Sequence, residues 1–437
     1  MTRHLLIPAI LLVLTATAEA KPILRDSQSS HAAVCIDRSE PAQRLVAICE
    51  TALADPGASV RDHRRMKVSL ASAYDTLGKF DQARTLVDEV LAEDPAHTGA
   101  LNVLGWINWG TSDYTAARAA FRSSIDAGAT AQAFAGLASS GRLDGTMDEA
   151  EYLTLIDTAI ALRPEYTWAR RDKGWFYVDS DRAAEAEPIF AAALEYEPEE
   201  GYTLYGYGSA LLDQGKVDAA LEQLNRAIDT GDVPINAYAA RARANFQAAN
   251  YRRTIVDADT VIERSPTSGS GHVWKARAQD ALGQTRAAVT GLRAFLATGH
   301  NAYAAYWLAD ILYHHDRSEE AVTVLQALFD EGEADYFDHE FMALLRIETD
   351  ALDVAQAHID SALSLRPEAA YPRYYTALIQ ARAGAFDDAE NSMLAALSRG
   401  LPGSQIRFFI GELTEKGEFV RGIQFRIKAN ALLEADQ

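Results

Sequence analysis

The chain has 437 residues, two cysteines and a formal net charge of −21 at pH 7. Carboxylates in that excess repel phosphate backbones and anionic lipid headgroups, so no nucleic acid is expected among its partners. Its length suits two or three ordinary domains or one extended array.

The first twenty residues, MTRHLLIPAILLVLTATAEA, carry Arg3 and His4, an apolar run from Leu5 to Ala18, and Ala18-Glu19-Ala20 before Lys21. This layout predicts a secretory signal cleaved after Ala20. The run of 14 residues is shorter than the ~20 needed to cross a bilayer. No later stretch is long and apolar enough, so no membrane span is expected in the mature chain. An exported, periplasmic location follows. In that oxidising compartment Cys35 and Cys49 are expected to form a disulfide, which would stabilise by about 3 kcal/mol. Residues 21 to about 40 are polar and read as loose, and PAQRLVAICETALADP (41–56) reads as a lone second helix tied back by that bridge. Residues 21–62 together form a capping segment.

From there to residue 403 one period governs the chain. Small residues recur at Ala71, Gly105, Gly174, Gly208, Ala242, Ala276, Ala309, Ala343 and Ala377, at spacings of 34 apart from one 33 and one double step of 69. A second ladder runs twelve residues later, from Ala83 to Ala389, and prolines mark a third at Pro95, Pro164, Pro198, Pro266 and Pro367. Within each period apolar residues follow helical spacing twice, as in Leu204, Tyr207, Leu211 and then Leu221, Leu224, Ile228. Gly215 is placed to end the first helix, and Asp218 to open the second near its positive end. The same turn recurs as GKFD (78–81), ANYR (249–252) and GAFD (384–387), with Asn250 and Gly384 as the residue types that tolerate a left-handed backbone. Gly208 and Ala220 then mark where the two helices approach closely.

Small, aromatic, small, aromatic, small and proline positions, filled by Gly174, Tyr177, Ala186, Phe190, Ala193 and Pro198 in the unit from Thr167, carry a family resemblance. The array resembles the tetratricopeptide repeat (TPR) family. This implies an all-α solenoid of helix-turn-helix pairs wound as a right-handed superhelix, with about nine to ten units over 63–403. The unit at 133–166 departs most. GRLDG (141–145) interrupts its first helix, and Ser140 and Tyr152 stand at the two small positions, so an irregular pair is expected there. Residues 404–437 read as a worn repeat and a closing helix.

Catalytic signatures are missing: no phosphate-binding loop, GxSxG, HExxH or CxxC occurs, and no enzyme activity is expected. SGSGH (268–272) has no strand before it and reads as a connection between repeats. YHHDR (313–317) with His300, His339 and His358 raises a metal, but His314 and His315 point to different helix faces, so neither metal nor cofactor is expected. The resemblance implies that first helices line a concave groove through unit positions 2, 5, 9 and 12. On this register Trp106, Trp109, Trp168, Trp175, Tyr202, Tyr205, Phe246, Tyr303, Tyr306, Tyr313, Phe337, Tyr371 and Tyr374 face it; Arg171, Arg243, Arg277, Asp213, Asp280 and Asp310 share the surface, whereas Trp274 and Trp307 fall outside it. The expected centre is Trp168, Arg171, Trp175, Tyr202 and Tyr205. The Lys, Asn and Arg lining with which some relatives hold a peptide C-terminus is not reproduced, since Val68 and Ser72 stand where its key residues would be. These features describe a non-catalytic scaffold that binds an envelope protein or peptide segment, or alternatively a glycan-associated scaffold in envelope polysaccharide assembly or export.

Overall fold

Helix-length stretches separated by one left-handed residue fold into short antiparallel pairs. The computed structural model describes residues 31–435 apart from 39, 300 and 333, and helices are the regular structure found among them, with no strand. The expected signal of residues 1–20 and His300 lie outside the described residues. Cα packing divides the chain into two compact units, Met1–Pro198 and Glu199–Gln437.

In the second unit, the helices Gly201–Asp213 and Val217–Asp229 show how sequence becomes packing. Leu204, Leu211 and Leu212 on the first and Leu224 and Ala227 on the second are buried. A Cβ at Gly208 would lie 2.7 Å from Leu224 Cγ and 3.3 Å from the Ala220 carbonyl oxygen. The missing side chain lets the helices approach, which offsets the roughly 1 kcal/mol that glycine costs a helix interior. In the first unit Gly174 lies equally close beneath Phe190. The core is therefore a succession of local clusters, each built from neighbouring helices.

Gly215 (φ 74°) ends its helix, and the Lys216 amide donates to the Leu211 carbonyl at 2.9 Å. Equivalent positive-φ turns stand at Gly78, Ser112, Gly145, Asp181, Ala249, Gly283, Asp316, Asp350, Gly384 and Gly417. In ANYR the left-handed residue is Ala249 (φ 58°), not Asn250, which flanks the next helix at φ −83°. Place in the unit decides this conformation, because the following amide must reach back over the helix end: Asn250 N–H meets the Asn245 carbonyl at 2.8 Å.

Two expectations need correction in the first unit. Residues 31–37 are helical and Arg38 has φ 52°, so Ala42–Leu53 has a first-helix partner and is not alone. The Cys35–Cys49 disulfide joins the two, and both residues are fully buried. The pair at 131–162 is regular rather than broken. Its first helix, Ala131–Leu143, runs into GRLDG and ends at Gly145 (φ 68°). Two additional residues separate that turn from Glu149–Leu162. Ala138 therefore occupies the buried small position assigned to Ser140, while Tyr152, 1 % exposed, fills the second.

At the C-terminal end of the second unit, Ile406–Glu415 and Phe419–Ala435 form one pair around the contact of Phe409 and Phe425, 4.9 Å apart. The closing helix is thus the second helix of the worn repeat.

Candidate functional site

The first unit gathers three of the expected groove residues into one cluster. Trp106 lies edge-on to Trp168 at 4.7 Å, to Phe121 at 5.2 Å and to Trp109 at 5.9 Å. The Trp109 indole donates to Ser139 Oγ at 3.2 Å. Ser139 and Tyr152 in turn donate to the two oxygens of Asp172, at 3.4 and 2.8 Å. Burial raises the Asp172 pKa above the usual carboxylate range, against the pull of Arg142. Trp175 packs edge-on against Phe190 at 5.9 Å, and Arg171 is half-buried near Tyr166 and Asp172. These rings contact one another and the helix core.

Of the expected centre, Trp168, Arg171 and Trp175 belong to the first unit and Tyr202 and Tyr205 to the second. Tyr202 is 43 % exposed and meets Tyr205 edge-on at 6.0 Å. Further along the second unit, first helices build a more open arrangement. Arg277, on Gly269–Ala281, lies 3.5 Å from the Trp307 ring centre and 4.6 Å from those of both Trp274 and Phe246. Trp274 and Trp307, read as outside the lining, thus help to make it. Arg243 shares the hollow and is paired with Asp213 at 2.7 Å. With Gln247, Tyr251 and Tyr303 these residues enclose about 610 Å³.

A second hollow of about 420 Å³ shares Tyr303 and Trp307 with the first and adds Tyr306, Phe337, Asp335 and Asp338. Burial pushes the Tyr306 phenol up to about 12. The two aspartates are already engaged as the capping box of Tyr336–Glu348. A third hollow, about 550 Å³, is lined by Tyr313, Tyr371, Tyr374, Arg382, Arg407 and Glu412 among others. Tyr374 is only 6 % exposed and packs within the core, so its place is more structural than the sequence implied. Arg382 is held by both oxygens of Glu412 and by its own bond to the Ile347 carbonyl.

Of the histidines, His315 meets Asp280 at 2.8 Å, and His339 and His358 bring their Nδ1 atoms within 3.1 Å against the Phe329 ring. Among the described residues no group of three or more His, Cys, Asp or Glu is placed to hold a metal ion.

Stacked helix pairs, a left-handed turn in every period and first helices bearing rings and guanidiniums define a helical-repeat scaffold for interactions. Residues 68–132, 171–234, 275–335 and 342–404, more than half of the chain, match the tetratricopeptide repeat family. The chain belongs to that family. No curated protein matches it. Among solved structures, the human IFIT1 dimer with PPP-AAAA is 17 % identical, covering 86 % of this chain and 95 % of that chain at a TM-score of 0.45. The Cut9–Hcn1 hetero-tetramer of APC/C is 9 % identical, with coverages of 94 % and 86 % and a TM-score of 0.49. A tetratricopeptide repeat protein from Parabacteroides merdae is 17 % identical, with coverages of 57 % and 97 % and a TM-score of 0.40.

Proposed function

We propose that the protein is an exported, non-catalytic scaffold of the periplasm that holds an extended segment of an envelope protein along its first helices. The observation that carries this reading is the pair of adjoining hollows at Tyr303 and Trp307, walled by rings and furnished with guanidinium groups. Aromatic rings and arginines on a rigid helical frame are the residue types that dominate protein interfaces. The Cys35–Cys49 disulfide supports export, since such bonds persist in oxidising compartments.

The test is affinity capture from an envelope extract, with protein and carbohydrate both analysed. Wild type is compared with Trp175→Ala, Tyr205→Ala and Trp307→Ala, and each is also followed by thermal unfolding. Truncating a ring at the centre of the interface should weaken capture by upwards of ~2 kcal/mol. Retained capture with a lowered melting temperature would assign that ring to the fold. Peptide mapping without reductant of periplasmic material should show the Cys35–Cys49 link; two freely alkylated thiols would remove the support it gives to export.

A further inference from the structure

Arg277 is a cation in an unusual setting for so acidic a chain. Its guanidinium faces the rings of Trp307, Trp274 and Phe246, and burial lowers its pKa. Among the described residues it has no carboxylate within 4 Å and no hydrogen-bond acceptor. Its neighbour Arg243 is different, being tied to Asp213. Asp310 acts on Arg277 only from beyond ion-pair distance, so a guanidinium taken partly out of water lacks the full return that a directly paired anion would give. The guanidinium's forked N–H donors match the two oxygens of a carboxylate.

Resting on the scaffold reading above, we propose that the Arg277 hollow receives one Asp or Glu side chain of an extended protein segment, with a neighbouring apolar residue of that segment seated against Tyr303 and Phe337. The second hollow shares Tyr303 and Trp307 with the first, so one short stretch of chain reaches both. Protein is favoured over an acidic polysaccharide because the guanidinium already covers ring faces on which a sugar would stack. Charge complementarity selects the acidic residue, and the apolar wall selects its neighbour.

The experiment is to pan a phage-displayed random peptide library on the full chain and, in parallel, on Arg277→Met and Arg277→Lys. The expected outcome is enrichment of peptides carrying Asp or Glu next to an aromatic or aliphatic residue. A selected peptide, followed by tryptophan fluorescence, should lose about tenfold in affinity when its acid becomes the amide, as for loss of a charge-assisted bidentate contact. On Arg277→Met that difference should vanish, while Arg277→Lys, which keeps the charge but not the fork, should show an intermediate loss. Unfolding midpoints check that both variants fold, and if Arg277→Met does not, the Lys variant and the peptide amide carry the comparison. Enriched peptides without an acid, or an amide peptide that binds as well as its parent, would overturn the Arg277 assignment and leave the scaffold reading standing. Failure to enrich any peptide, with binding of an oligogalacturonate instead, would overturn both.

Discussion

The first unit and the second put tryptophan in different company. Trp106, Trp109 and Trp168 turn their edges to one another at 4.7 to 6.4 Å, and Ser139 accepts the Trp109 indole proton. Every surface so buried contributes to the fold. Trp274 and Trp307 also pack against rings, Phe246 for the first and Tyr303 and Tyr306 for the second, but both add a contact with the guanidinium of Arg277 beside space open to solvent. The residue type and the repeat are the same. What differs is the cation: among the second unit's rings stands a guanidinium with no carboxylate at ion-pair distance. A repeat protein can therefore hold packing and recognition at nearly equivalent positions.

The sharpest way to break this contrast is truncation. Trp106→Ala should destabilise the first unit by about 3 kcal/mol, in the range seen for large aromatic core residues. Trp307→Ala should cost less, about 2 kcal/mol, through its packing on Tyr303 and Tyr306 and its cation–π contact. Hydrogen exchange across each unit would read both, and equal losses would erase the distinction.

Acidification should act with opposite sign on His358 and on Asp172. Burial, then His339 and Arg346, lowers His358 to about 4, so its neutral ring stabilises the fold fully above the ordinary value near 6.5. That contribution is lost as pH falls from 6.5 toward 4; it is on the order of 2 kcal/mol and should be abolished by His358→Gln. Asp335 opposes the shift at His339, which burial also lowers. In the first unit Asp172 has a raised folded value, so the folded form holds its proton more tightly and stability there rises as pH falls through that value. Because burial raises Asp338 and Glu340 on Tyr336–Glu348 as it does Asp172, the His358 effect is read over Leu352–Leu365. Protection there, corrected for the intrinsic exchange rate at each pH, should fall between pH 7 and 4.5 in wild type but not in His358→Gln. It should not fall over Ala131–Leu143 and Thr167–Asp179. A uniform loss of protection, or the same loss in His358→Gln, would defeat this expectation.

The smallest effect concerns a turn. Ala249 is left-handed at φ 58°, where Ala is strained and glycine is not. Ala249→Gly should stabilise by about 0.5–1 kcal/mol, read as a raised unfolding midpoint.

The pairs and turns were legible because one backbone requirement repeats, and a ladder of Gly and Ala exposes it. What escaped notice has local causes. A uniform period put Ser140 where Ala138 stands, because two residues had been added after Gly145 and shifted only the first helix relative to the count. The helix at 31–37 was hidden by the polar residues around it, although HAAVCI within it is suited to burial. Trp274 and Trp307 lie outside the expected stripe, and Tyr374 lines its hollow while mostly buried, because spacing defines a helical stripe without fixing its rotation. A guanidinium lodged among rings is still harder to read, since Phe246, Arg277 and Trp307 come from three different helices.

The two residues inserted after Gly145 show the chain has seams. Both helices of that unit keep their ordinary length, and Tyr152 and Ala138 remain buried. Growth at a turn is absorbed locally, whereas growth inside a helix would rotate every later side chain. Gly78, Gly215 and Gly384 offer comparable points for grafting a reporter or affinity tag without touching the faces that pack or bind.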